Sequence, residues 1–100
     1  MNSKIRTEEL NELFDAILLL KNEDECNDFF MDLCTVNELQ SMAQRFKVAM
    51  MLKQKKTYTE IAKETGASTA TISRVNRSLL YGNDGYDLIM DRNKDKKNQE

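Results

Sequence analysis

Between residues 7 and 20, apolar side chains recur at three- and four-residue spacing: Leu10, Leu13, Phe14, Ile17 and Leu18. That period lays one apolar stripe along a helix. "KNED" at 21–24 interrupts the stripe and offers Asn22 or Asp24 as the cap of a second helix, whose stripe is Cys26, Phe29, Phe30 and Leu33. "TVNE" at 35–38 matches a capping box, in which Thr35 and Glu38 exchange hydrogen bonds with each other's backbone. The helix it opens is predicted to run to about residue 54. Its apolar positions, Leu39, Met42, Ala43, Phe46, Ala49, Met50 and Leu52, spread wider than one packing face needs. A helix covered on several sides in so small a domain points to a second chain, an identical one by preference.

The second half is punctuated more densely. "TYTE" at 57–60 is another capping box, opening a short helix that stops at Gly66, a residue suited to a left-handed C′ position. Ser68 then caps a further helix, predicted to run to Tyr81 and end at Gly82. A turn and a short final helix over 86–92 follow, and the polar stretch 93–100 is expected to fray. The chain has no proline and almost no strand-like alternation. The prediction is an all-α helical bundle, one domain over 1–92 with a disordered tail over 93–100.

Two short helices joined by a glycine-containing turn describe a helix-turn-helix. Ala62 stands four residues before Gly66, where a small side chain permits close crossing. Ile61 points inward from the first helix, and Ile72, Val75 and Leu79 form the inward seam of the second. At 100° per residue, Ala70, Ser73, Arg74 and Arg77 face outward, flanked by Thr69 and Thr71. Small side chains at the front of a recognition helix let its backbone approach base edges in the major groove. Hydroxyls bond bases or phosphates, and alanine or a threonine methyl can touch a thymine methyl. The predicted DNA-binding set is Lys55, Lys56, Tyr58, Thr59, Lys63, Ser68, Thr69, Ala70, Thr71, Ser73 and Arg77. Of these, the lysines and Arg77 are assigned to phosphates. The plainer alternative is a helical hairpin whose hydroxyls only cap and face water.

The overall charge of −2 hides an asymmetry. Residues 7–38 carry ten acids against Lys21, a net of −9, whereas 45–78 carry eight lysines and arginines against Glu60 and Glu64, a net of +6. The second half is thus the one suited to a polyanion. No apolar run exceeds five residues, against roughly 20 for a membrane-spanning helix, and the N-terminus has no signal-peptide order. A cytoplasmic protein with no membrane partner is expected. With no histidine and no CxxC pair, no metal site is expected. Cys26 and Cys34, about 12 Å apart if on one straight helix, are read as reduced thiols. No Gly-rich phosphate loop or nucleophile–base pair suggests an enzyme.

The stretches "LCTVNELQSMAQRFKVAMML" and "TYTEIAKETGASTATISRVNRSL" resemble the tryptophan repressor family, closest to its YerC/YecD branch, and the resemblance covers about residues 7–92. It implies an intertwined all-helical homodimer whose two heads read successive major grooves of a palindromic operator in double-stranded DNA. The branch's association with amino-acid biosynthesis genes implies a repressor of such genes. In tryptophan-responsive members a threonine, two arginines and a serine hold the corepressor, and Thr35, Arg45, Arg74 and Ser78 match them. Guanidinium planes can sandwich an aromatic ring and grip a carboxylate. Val75, however, stands where those members have a glycine beside the indole, and Asp32 and Cys34 stand near leucine positions. The match implies an amino-acid-like corepressor, and these departures argue against tryptophan. No other cofactor is expected. The competing class is a helical protein-interaction module whose basic head binds an acidic protein partner.

Overall fold

The computed structural model describes residues 6–99, with side chains to Lys97. Among them are six α-helices and no strand: α1 (Glu8–Ile17), α2 (Glu23–Leu33), α3 (Val36–Lys53), α4 (Tyr58–Thr65), α5 (Thr69–Tyr81) and α6 (Gly85–Gln99). The chain divides into two compact units between Leu39 and Gln40.

In the first unit each helix begins at a side-chain cap. Thr7 accepts from the Leu10 N–H at 3.2 Å, and Asn22 accepts from the Glu25 N–H at 2.9 Å. Acids fill the first turns, Glu8 and Glu9 in α1 and Glu23, Asp24 and Glu25 in α2, where the helix dipole favours negative charge. The capping box before α3 is complete: Thr35 N–H donates to Glu38 Oε1 at 2.8 Å, and Glu38 N–H donates to Thr35 Oγ1 at 3.1 Å. The Thr35 backbone N–H, and to a lesser degree the Thr35 side chain, stabilise the ionised carboxylate and hold Glu38 below the ordinary glutamate pKa. No described residue of this unit is buried. Leu18 and Leu19 are 80 % and 76 % exposed.

The second unit holds the core. Val48, Ala49 and Met51 of α3, Ile61 of α4, Ala67 of the turn, and Ile72 and Val75 of α5 are buried together, with Leu52, Ala62, Leu79, Tyr86 and Met90 packed against them. Lys53 Nζ lies 2.9 Å from Asp87 Oδ1, joining the end of α3 to the start of α6. The hydrogen bond and charge of Asp87, helped by Asp91, raise the Lys53 pKa. The rings of Phe46 and Tyr86, 6.3 Å between centroids, add an apolar contact between the same helices.

The C-terminal expectation is corrected. The final helix does not stop at Arg92 but continues to Gln99, so the segment from 93 is helical rather than frayed. Only Glu100 of that tail, and residues 1–5 of the expected domain, lie outside the described residues. Once a helix is nucleated, each further residue adds one backbone bond at small cost. Asp87 in the first turn and Lys96 and Lys97 in the last suit the dipole. A solvated helix needs nothing more, which is why polarity alone misled.

Candidate nucleic-acid interface

The geometry of the head begins at the close of α3. Lys55 adopts the left-handed backbone conformation, φ 66°. Its N–H donates to the Leu52 carbonyl at 3.0 Å, and Lys56 N–H reaches back to the Met51 carbonyl at 3.1 Å. This pair of bonds is a Schellman motif, normally built on glycine. It turns the chain sharply and leaves Lys55 and Lys56 exposed ahead of α4. Thr57 then caps α4 in a full capping box with Glu60, and Tyr58 and Thr59 stand exposed on the first turn.

Gly66 ends α4 at φ 74°, its N–H donating to the Ala62 carbonyl at 2.9 Å. A Cβ there would meet nothing within 4 Å, so conformation rather than space demands glycine. Ser68 caps α5, its Oγ accepting from the Thr71 N–H at 3.1 Å and donating to Thr71 Oγ1 at 3.1 Å. At the far end Gly82 is required for a different reason, because a Cβ would collide with the Ser78 carbonyl oxygen.

The seam of α5 lies where its spacing predicts. Ile72 is fully buried and Val75 is 2 % exposed, while Ala70, Ser73, Arg74 and Arg77 are exposed on the opposite side and line one shallow hollow of about 250 Å³. The hydroxyl-rich front divides in two. Ser68 and Thr71 are bonded to each other, whereas Thr69 and Ser73 form no side-chain hydrogen bond among the described residues and remain available to a ligand. None of Lys55, Lys56, Lys63, Arg74 or Arg77 belongs to an ion pair among the described residues.

Lys63 and Lys56 share a groove of about 590 Å³ with Lys47, Gln54, Glu60 and Glu64. Lys47 was missing from the sequence-based set. Its spacing to Met51 and Gln54 places the three on one face of α3, but only the fold shows that this face meets α4.

The four corepressor candidates are distributed as follows. Thr35 belongs to the first unit and caps α3. Arg45 is half-buried on α3. Arg74 shares the outward hollow with Arg77, and Ser78 lines a separate cleft of about 450 Å³ with Phe46, Asn83, Tyr86 and Ile89.

A buried seam, a left-handed glycine turn and a free basic outward face describe a helix-turn-helix, and residues 8–94 match the family model described as Trp repressor protein. The chain belongs to the Trp repressor family. Among its relatives is the uncharacterised protein YerC of Bacillus subtilis strain 168, 59 % identical over 92 residues that cover 92 % of this chain and 88 % of that protein. The crystal structure of a TrpR-like protein from Eubacterium eligens ATCC 27750 superposes with a TM-score of 0.88 at 60 % identity, covering 91 % of this chain and 94 % of the other. A Trp repressor-like protein from Staphylococcus aureus superposes equally well, with a TM-score of 0.88 at 62 % identity and 91 % of each chain covered. Family membership makes the all-α, helix-turn-helix architecture that of a DNA-binding regulator family. No described helix is long and apolar enough to cross a membrane.

Proposed function

We propose that this chain is a non-enzymatic, sequence-specific transcriptional regulator that acts in the cytoplasm as a homodimer on a palindromic operator, repressing amino-acid biosynthesis genes. The observation that carries the reading is the outward face of α5. Ala70, Ser73, Arg74 and Arg77 are exposed together on one side of a helix whose other side is sealed into the core. Short side chains at the front admit the helix to the major groove, Thr69 and Ser73 offer unengaged hydroxyls to base edges, and Lys55, Lys56, Lys63 and Arg77 hold phosphates.

The homodimer is supported by apolar surface that one protomer leaves uncovered: Leu18, Leu19, Val36, Phe46 and Tyr81 are all more than one-third exposed. Pairing also suits the reading mechanism, because two heads one helical turn apart match two half-sites. An amino-acid-like corepressor, for which Thr35, Arg45, Arg74 and Ser78 are the family-matched candidates, would act by binding more tightly to the head spacing that fits successive grooves.

The test is selection of bound duplexes from a random pool by purified protein, with and without a mixture of free amino acids. A palindrome in both arms is the expected result for a repressor active without corepressor. A palindrome only with amino acids present assigns the gating. No enriched motif in either arm overturns the operator reading and favours a head that binds an acidic protein.

A further inference from the structure

The turn between α4 and α5 carries more hydrogen-bond chemistry than its glycine alone requires. Thr65, the last residue of α4, is half-buried. Its hydroxyl donates to the Ile61 carbonyl at 2.7 Å and accepts from the Ala67 N–H at 3.1 Å. Ala67 is 5 % exposed, so its amide would otherwise be a donor withdrawn from water without a partner. The Thr65 carbonyl is one of the acceptors orphaned at the end of a helix. It accepts from Nε2 of Gln44 on α3 at 3.1 Å, across 21 residues of sequence. Apart from the Lys53–Asp87 pair between α3 and α6, the other side-chain hydrogen bonds among the described residues are local, within five residues.

We propose that Gln44 and Thr65 are positioning residues for DNA reading, a directional strut that fixes the tilt of α5 against α3. The inference rests on the DNA-binding reading above. The shared core of Val48, Ala49, Ile61, Ala67 and Ile72 holds these helices together, but hydrophobic attraction has no preferred direction. A hydrogen bond weakens steeply as its angle departs from linear, so the Gln44–Thr65 bond resists rotations that the core tolerates. Base edges are read by short side chains on α5, which cannot follow a tilted helix. Long, flexible lysines on phosphates can. Loss of the strut therefore falls on sequence discrimination and leaves phosphate affinity intact.

The experiment compares wild type with Gln44→Leu, Thr65→Val and Thr65→Ser, each first checked for folding by circular dichroism. Three quantities are measured: residual dipolar couplings that report the α3–α5 angle, the affinity ratio between the duplex selected by wild type and a scrambled duplex, and the salt slope on the scrambled duplex. In Gln44→Leu and Thr65→Val the ratio is expected to fall about 3–10-fold with α5 reoriented and the slope unchanged, and Thr65→Ser is expected to restore it. If Thr65→Val fails to fold, Gln44→Leu decides, since it removes only the strut. An unchanged ratio and unchanged couplings in folded Gln44→Leu overturn the proposal. So does an equal loss on both duplexes with a shallower slope, which would make Gln44 a phosphate contact. Should wild type prefer no duplex, the DNA-binding reading fails by itself. The couplings then judge the strut alone: an α5 angle shifted in Gln44→Leu upholds it, and a wild-type angle overturns it.

Discussion

Lys55 stands where most helix ends of this kind place glycine. Its left-handed conformation, φ 66°, costs a side-chain-bearing residue about 1 kcal/mol. Lys55→Gly is therefore expected to stabilise the protein by about 1 kcal/mol, raising the thermal midpoint by several degrees. The same change should lower the salt slope of DNA binding by about one unit or less. Arg77→Ala is expected to lower that slope without altering the melting curve, because Arg77 is exposed and outside any ion pair among the described residues; an unchanged slope removes it from the phosphate set. Glu38 supplies a pH dependence. Its folded pKa lies below the unfolded one, so its contribution is complete above the unfolded value and is lost as pH falls through the folded one. An NMR titration should show the Thr35 amide shift following Glu38 ionisation, at a midpoint below 4.5, the ordinary value. The caps at Thr35, Thr57 and Ser68 were legible in the sequence because their partners lie three residues away. The bend at Lys55 was not, because a lysine gives no sign that it has taken a glycine's conformation.

At the scale of the element, α5 and its turn form the part where pattern and packing coincide. Gly66→Ala forces a Cβ into the left-handed region and is expected to cost about 1 kcal/mol, seen as a lower denaturation midpoint with an unchanged m-value. Ser68→Ala should cost a similar amount, about 1 kcal/mol, and it also releases the Thr71 hydroxyl from its partner. The seam of Ile61, Ile72 and Val75 was readable because burial recurs with the helical period. Two features were not. The extension of α6 to Gln99 buries none of residues 93–97, so hydrophobic periodicity is silent about it. The groove that Lys47 and Lys63 both line and the bond from Gln44 to Thr65 depend on how separate helices are placed, which no local spacing encodes. Truncation after Arg92 is expected to lower helicity while changing the thermal midpoint by only a few degrees, because the core cluster reaches no further along the chain than Met90.

The whole molecule divides its labour between a unit with a core and a unit without one. The buried residues of the described chain all lie at or beyond Val48, while α1 and α2 are complete, capped helices with no buried residue. Helices of 10 and 11 residues are too short to persist alone in water. If a second copy covers them, the melting temperature rises with protein concentration, and Met50→Asp converts the sedimenting species to monomer or aggregate. A concentration-independent melt of a monomer would count against the homodimer. The coreless unit also bears on the life of the protein during synthesis. Residues 6–39 are synthesised ahead of the unit that holds the buried core, and none of the described residues of α1 or α2 is buried. A lone protomer exposes Phe14, Leu18 and Leu19 to cellular proteases, and a second copy seated on them would withdraw them. Supply of the regulator would then be thinned at low expression, where newborn chains seldom meet, and protected at high expression. In pulse-chase labelling, the half-life of the protein is expected to lengthen as its own expression rises.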